Sequence, residues 1–514
     1  MRKRRHQIIG MALAVCMLGS LGLTGCSNDR TTTKAENEQA SKENGTETGE
    51  RQKVSVMSLT FNGSPVPDDN VLVKSLEDYV NYDIEWTWIL DADYTDKIST
   101  MIAGGTLPEI VLLKNLDSNT IQNCRAGAFW DLTDYLKDYE NLSKINETIL
   151  NNTMIDGRVY GIPRTRALMR DGIVYRQDWL SNVGLDVPTN LEEFEDVLRA
   201  FTFEDPDGNG KDDTWGLVST KASTSFDEIA IWFGAPNGWG EDENGNLQPM
   251  FMTDEYFESM NWLKGLYDEG ILNSDFVTLE NSGAKDAFKA QQSGVYLGGV
   301  DEANNYYTYF ESQNIEAPMT VTAAIETPAG KVAVSTDGFS GMLAISKEKV
   351  KTEEDLKRCL TFLDKLNDEY CANLFNYGIE GVDYDKNEDG MVKKKSSGII
   401  SLGDNDGFNQ IMMNVVEENV YDQEPVNELA GAIMDVQEEN EKYLVANPGK
   451  PLLRTSETYN STGAQLDQMI ADARIQYIVG ELDENGWNQT IESWKQQGGT
   501  AVIEEVNESY GKTK

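Results

Sequence analysis

From Lys53 onward the spacing of apolar positions switches repeatedly between the period of a strand and that of a helix. "KVSVMSLT" (Lys53–Thr60) is a short apolar run of strand length. "DDNVLVKSLEDYVN" (Asp68–Asn81) opens with acid, which the first turn of a helix favours because its N–H groups have no internal acceptor. "DIEWTWIL" (Asp83–Leu90) puts Ile84, Trp86, Trp88 and Leu90 on one face of a strand. In "DYTDKISTMIAGG", Tyr94, Ile98, Met101 and Ile102 recur at helical spacing, and Gly104–Gly105 ends the helix. "LPEIVLL" (Leu107–Leu113) is another buried strand. This βαβαβ order predicts an α/β fold with a parallel sheet and helices on both faces.

The amino end has another texture. "MRKRRHQIIGMALAVCMLGSLGLTGC" opens with Arg2, Lys3, Arg4 and Arg5, runs through an apolar stretch and ends at Leu23–Cys26. Residues 1–25 read as a secretory signal peptide. Thr24 and Gly25 before Cys26 resemble a bacterial lipobox, which implies cleavage before Cys26 and lipidation of its thiol. No other apolar stretch is long enough to span a bilayer. The body is therefore expected at the extracellular face of the cytoplasmic membrane, anchored by lipid alone. Residues 26–52 are expected to be a disordered tether. After the cysteine they contain no Leu, Ile, Val, Met, Phe, Trp or Tyr to bury, and a coil of that length spans roughly 30 Å.

Composition narrows the chemistry. The body is too long for one core, so two lobes are expected. The 87 acidic residues against 44 basic ones give a formal net charge of −43, which repels nucleic acid and anionic lipid. The only histidine, His6, lies in the leader. The remainder can build neither a histidine triad nor an imidazole metal site. Besides the anchor, Cys124, Cys359 and Cys371 remain, too few for a disulfide framework. Cys359 and Cys371 share a helical stretch and are expected to be buried free thiols.

Four segments, in order, carry a family likeness. "DGRVYGIPRTRALMRDGIVYRQDWLSNVGLDVPTNLEEFEDVL" (Asp156–Leu198) contains a Tyr-Gly-Ile-Pro strand (Tyr160–Pro163). A second strand follows, then Arg176, Asp178 and Trp179, then a Pro188-Thr189 turn into a helix. "STDGFSGMLAISK" (Ser335–Lys347) reads as a returning strand. "NYGIEGVDY" (Asn376–Tyr384) and the tail Leu482–Tyr510 follow. The series resembles the extracellular solute-binding proteins of carbohydrate ABC transporters, of the lipid-anchored family 1 type found in Gram-positive bacteria. The resemblance implies a two-lobe periplasmic-binding-protein-like fold of type II, closing on a ligand held in the cleft between the lobes. It places crossings near Pro163, Pro328 and Lys395. Residues 53–164 plus 328–395 would form one lobe, and 165–327 plus 396–514 the other. It also implies an oligosaccharide ligand, ABC permease subunits as partners, a monomer, and no enzymatic activity.

"EDPDGNGKDDTWG" (Glu204–Gly216) sets oxygen donors at EF-hand positions. Asp205, Asp207, Asn209, the Lys211 carbonyl and Asp213 fall at positions 1, 3, 5, 7 and 9, with Gly210 at the sharp turn. Position 12 is Gly216 rather than a bidentate Glu, so the loop is no EF-hand. It resembles the isolated calcium loop of alginate-binding members of the family, with Thr214 where those have acid. Asp212, Glu204 or water would supply the last ligand of a structural Ca2+. The other reading is a solvated Asp/Asn/Gly turn.

Sugar recognition needs flat apolar faces for pyranose rings and planar polar groups for vicinal hydroxyls. Trp239 follows Pro236-Asn237-Gly238 in a loop, and Trp232 precedes it. Both are candidate ligand-binding residues. Arg164, Asp337, Tyr377 and Glu380 are placed at the cleft by the resemblance, with Glu109, Tyr306 and Tyr307 as weaker candidates. Rival readings are a secreted glycan-cleaving enzyme, which would need two carboxylates flanking the bond, and a binder of a peptide or polyanion with the same fold.

Overall fold

The structure is a computed structural model and describes residues 51–221, 225–279, 282–400, 403 and 405–512. The signal, Cys26 and the tether lie outside the described residues. The chain begins with strand β1 (Gln52–Thr60), helix α1 (Val71–Val80), β2 (Tyr82–Leu90), α2 (Tyr94–Gly104), β3 (Ile110–Leu113) and α3 (Ser118–Arg125). Strands β4 (Ile162–Thr165), β5 (Asp171–Arg176), β6 (Trp239–Glu241), β7 (Leu247–Pro249) and β8 (Val295–Gly299) follow. Then come β9 (Met319–Thr322), β10 (Ala333–Val334) and β11 (Phe339–Ile345).

The first sheet has the order β2-β1-β3-β11-β4. Strands β1 and β2 pair in parallel from Gln52↔Tyr82 to Thr60↔Leu90, and β3 joins β1 in parallel at Val56↔Ile110. The βαβαβ segment forms the parallel strands expected of it, and a strand that returns from further along the chain makes the sheet mixed. β11 runs antiparallel to both β3 and β4. β4 follows β3 through a connection that includes α3 and the helix Glu147–Thr153, and runs the same way as β3; the chain then leaves through β4 and returns through β11. Helix α1 starts where the Asn70 side chain accepts from Leu72 N–H and stops at Asn81, which takes a left-handed conformation. It buries Leu72, Val73, Leu76 and Val80 completely, each contributing about 1.5–3 kcal/mol.

The core of this first body also contains Leu356–Leu366, Cys371, Leu374, Phe375 and the run Phe408, Ile411, Met413, Val415 and Val416. The last run corrects the expected crossing near Lys395. Thr165 N–H and Oγ1 both donate to the Met413 carbonyl, so this segment stays with the first body. Residues around Lys395 instead close a hairpin, Tyr384–Lys386 against Val392–Lys394. Cys124, Cys359 and Cys371 are free, buried thiols of the same core.

The second body is built on the antiparallel sheet β8-β5-β9, with Asp171↔Gly299 and Ile173↔Thr322 in register. Its motif residues are structural. The almost fully buried Arg176 forks onto Asp178, with Nε–Oδ1 2.8 Å and Nη2–Oδ2 2.6 Å, and lies 5.3 Å from the Trp179 ring centroid. The C-terminal helices Glu457–Ile478, Glu484–Trp494 and Thr500–Gly511 pack Trp487 and Trp494 against Tyr256 and Phe251.

Gly341 sits at the β11 irregularity between Phe339 and Met342, with φ +77. A Cβ there would lie 2.6 Å from the Leu113 carbonyl oxygen. Gly341→Ala is expected to cost about 2–4 kcal/mol, combining a left-handed side chain with a backbone overlap. Urea denaturation measures it; an unchanged midpoint would mean that this bend does not require glycine.

Candidate functional site

In an open α/β sheet, ligands bind outside the carboxyl ends of the strands, where the winding direction reverses. Here that point lies between β1 and β3. β11 runs the other way and β4 the same way as β3, so the start of β11 at Phe339 and the end of β4 at Thr165 share that same edge. In the second sheet the start of β5 and the ends of β8 and β9 gather at one edge. Two short connections join the two edges, Arg166–Arg170 leaving the first body and Ser335–Gly338 returning to it. They run side by side: Arg166 N–H donates to Gly338, Thr336 N–H to Leu168 and Thr336 Oγ1 to Ala167, and Met169 bridges Ser335. The edges therefore face each other across a crevice with this paired strap at its base.

On the first rim, Phe61 follows β1 directly and is 62% exposed. The Asp406 carboxylate accepts from the Phe61 and Asn62 N–H groups, at 3.0 and 3.2 Å, and so holds this turn. Arg164 is buried. Its Nη1 donates to the Ser340 carbonyl at 3.0 Å and its Nη2 to Gln410 Oε1 at 2.8 Å, while Nε has no partner. Burial, aided by the Arg166 charge, pushes its pKa down to about 10. Asp337 is closed by ion pairs, with Arg454 and, at 2.9 Å, with Lys450. Arg454 also donates to the Asn152 carbonyl, so Asp337 ties the strap to the C-terminal segment.

On the second rim, Arg170 pairs with Asp301 at 3.1 Å. Burial raises the Asp171 carboxyl above its usual range. Glu228, buried on the helix Ser225–Trp232, is pushed well above the usual range by burial and by the Asp171 carboxylate. Elsewhere the two bodies touch where Ser118 donates to Asn460 at 2.9 Å. A cavity of about 510 Å³ opens there, lined by Ser118, Ile121, Gln122 and Arg125 of α3 and by Glu457, Asn460 and Ser461 of the facing helix. Exposed ring faces, planar amides and guanidinium groups are the groups that bind sugar rings and their hydroxyls.

Arg164 and Asp337 lie at the strap, whereas both tryptophans are buried rather than exposed in a loop. Trp239 is 6% exposed and packs with Leu247, Met250 and Tyr256. The preceding loop is a tight turn into the β6–β7 hairpin, and Trp239 is that hairpin's inward residue, pressed against Gly449. Trp232 is 3% exposed, edge-to-face with Phe194, and belongs to the apolar stripe of its helix. Tyr377 donates to the Tyr421 carbonyl at 2.8 Å and packs with the hairpin residues Tyr384 and Val392. Glu380 is exposed in the turn before that hairpin. Glu109 accepts from Ser55 and pairs with Arg358 inside the first body, and Tyr306 is fully buried. Tyr307 is 39% exposed on the helix Glu302–Ser312. Phe61 and Arg166 were missed, although standing directly after the carboxyl end of a strand, β1 and β4 respectively, is a readable signal.

In the acidic loop, Asp205 has φ +48 and its carboxylate accepts from Gly210 N–H at 3.0 Å. Asn209 Nδ2 donates to Asp207 at 2.7 Å and to Asp213 at 3.1 Å, and Lys211 N–H donates to Asn209 Oδ1. The side chains of Asp207, Asn209 and Asp213 thus converge. Among the described residues, however, no three or more His, Cys, Asp or Glu side chains are gathered as a metal would hold them. Thr214 Oγ1 bonds to the Phe201 carbonyl and Gly216 N–H to Thr202, fixing the loop to the helix Leu191–Phe203.

This architecture is that of a hinged two-body binding protein, and the chain belongs to the bacterial extracellular solute-binding protein family, whose model matches residues 66–363. It is similar to lipoprotein LipO of Bacillus subtilis (strain 168), 36% identical over 504 residues and 97% of each chain. The polygalacturonan/rhamnogalacturonan-binding protein YtcQ of the same organism is 34% identical over 508 residues, 98% of each chain. Among solved structures, an HMO-binding, ABC-transporter-associated solute-binding protein from Bifidobacterium longum infantis shares the fold. It has a TM-score of 0.71 at 18% identity, covering 90% of this chain and 99% of that one.

Trp239→Ala is expected to lower the unfolding free energy by about 3–5 kcal/mol, the cost of emptying a buried aromatic site. Urea denaturation of the ligand-free protein checks it. A loss below about 1 kcal/mol would mean that Trp239 does not act as core.

Proposed function

We propose that the protein captures an oligosaccharide in the crevice between its two bodies and delivers it to the permease subunits of an ABC importer. The observation that carries this reading is the paired strap. Two hydrogen-bonded connections join the sheets edge to edge, so a few backbone angles can swing one body against the other while the polar edges stay apposed. Phe61 would stack on a sugar ring. Gln122, Arg125 and Asn460 would bind hydroxyls where the bodies meet. The name of YtcQ, a polygalacturonan/rhamnogalacturonan-binding protein, supports a glycan. The protein would work as a monomer at the outer face of the membrane, held by lipid on Cys26, and would leave its ligand intact. Asp171 and Glu228 are neighbouring carboxyls, as a glycan-cleaving enzyme would need. Burial favours the protonated form of both, which suits hydrogen bonding to hydroxyls as well as acid catalysis.

The test is titration of the purified body with an oligosaccharide panel. One ligand should bind per chain, the radius of gyration should fall on binding, and no new reducing ends should form. Release of reducing ends would overturn the capture reading in favour of hydrolysis.

A structural Ca2+ on Asp205, Asp207, Asn209, Asp213 and the Lys211 carbonyl is part of the same proposal. What supports it is the convergence of Asp207 and Asp213 on one amide nitrogen. The ion would replace that amide's charge-neutralising role and clamp the connection between a helix and the following segment. EDTA should lower the melting temperature and Ca2+ restore it, since a ligand held only by the folded state at about 100 times its Kd adds about 2.7 kcal/mol. Asp207→Ala should abolish the difference. Identical melting with and without Ca2+ would make the loop a plain turn.

A further inference from the structure

Two arginines stand apart from all the others. Every other arginine among the described residues forms an ion pair with a carboxylate, including the buried Arg176 with Asp178 and the partly buried Arg358 with Glu109 and Arg474 with Asp227. Arg164 and Arg166 form none, in a chain where acidic residues outnumber basic ones 87 to 44. They are two residues apart, where β4 runs out into the strap, on the edge that faces the crevice.

Arg164 is spoken for by backbone and amide. It holds Ser340 and Gln410 and has no free edge apart from its buried Nε. Arg166 differs. It is partly buried, and its single hydrogen bond runs from Nη1 to the carbonyl of its own neighbour, Thr165, at 2.6 Å. Its Nε and Nη2, the edge that forks onto a carboxylate, have no partner in the protein. Neither is among the sealed unpartnered atoms, so both still reach solvent. Burial and the nearby Arg170 charge hold the guanidinium below its ordinary pKa, and no carboxylate contributes to the shift. A half-buried cation with like charges on both sides and no counter-ion is costly unless something else brings the negative charge. A planar carboxylate matches the open fork.

We infer that Arg166 is the anion-recognising point of the crevice, and that the glycan captured there carries carboxylates: a uronic-acid oligosaccharide. The inference rests on the capture reading of the previous section and adds the chemical class of the ligand. A neutral oligosaccharide would satisfy the hydrogen-bonding groups of the crevice and leave the Arg166 charge uncompensated. The surplus of negative charge on the rest of the surface excludes acidic ligands everywhere except at such a point, so the arginine would also set the register of the chain in the crevice.

The experiment is calorimetric titration of the wild type, Arg166→Gln and Arg166→Lys with three probes: trigalacturonate, the same trisaccharide with its carboxyls methyl-esterified, and neutral galactotriose. Wild type should bind the acid at least tenfold more tightly than the ester. Arg166→Gln should remove that difference, and Arg166→Lys should retain part of it because charge remains without the fork. The ligand-free melting temperature of Arg166→Gln should hold or rise, since an uncompensated charge has been removed. Equal wild-type affinity for acid and ester, or full discrimination by Arg166→Gln, overturns the inference. Binding of galactotriose or the ester with no binding of the acid overturns it too and leaves glycan capture standing. Failure of all three probes, in a protein that binds some other glycan of the panel, overturns the inference alone. Failure with every glycan overturns both readings.

Discussion

The crevice depends on one constraint: the chain must leave the first sheet and come back to it at the same edge. The bonds from Arg166 N–H to Gly338, from Thr336 N–H to Leu168 and from Thr336 Oγ1 to Ala167 hold the outgoing and returning segments together. Because β4 ends and β11 begins at the strap, every group near those ends is delivered to the crevice edge without further architecture. The antiparallel course of β11 follows from this. A strand that arrives from another body, rather than over a helix on its own, is free to enter from the opposite direction.

Much of this was readable along the chain. The β1–α1–β2–α2–β3 order, the capping at Asn70, and the helix end at Gly104–Gly105 follow from local periodicity and chemistry, and local interactions sustain them. The turn of the hairpin Tyr384–Lys386/Val392–Lys394 is equally local, since the Asn387 side chain accepts from the Asp389 and Met391 N–H groups. The site was less legible. Trp239 looked like an exposed loop residue because nothing nearby in sequence shows the C-terminal helices that cover it; its neighbours Gly449, Val502 and Val506 are some two hundred residues or more away. Likewise Phe408–Val416 is mostly apolar without a helix or strand period, and only the distant bonds from Thr165 to Met413 assign it to the first body. Arg166 was passed over because an arginine announces itself by its partners, and partners across a fold cannot be counted in one dimension.

Charge has opposite meanings on the two scales of this molecule. Globally, the acidic surface keeps the body soluble and away from anionic polymers. Locally, arginines are used as internal rivets, each closed by a carboxylate: Arg125 on Asp156, Arg176 on Asp178, Arg454 on Asp337. Against that habit, the open fork of Arg166 and the protonation-favouring burial of Asp171 and Glu228 mark the crevice as the place where charge is left unsettled.

The three thiols all belong to the first core: Cys124 on α3, Cys359 and Cys371 on the helices Glu353–Lys365 and Glu369–Tyr377. Each is fully buried, and burial pushes the Cys124 and Cys359 thiols up to about 12, so none reacts while its surroundings are shut. Among the described residues the second body has no thiol at all. An alkylating reagent applied to the native protein therefore clocks the breathing of one half of the molecule and is blind to the other. The chain carries its own one-sided chemical stopwatch, with no label to be introduced.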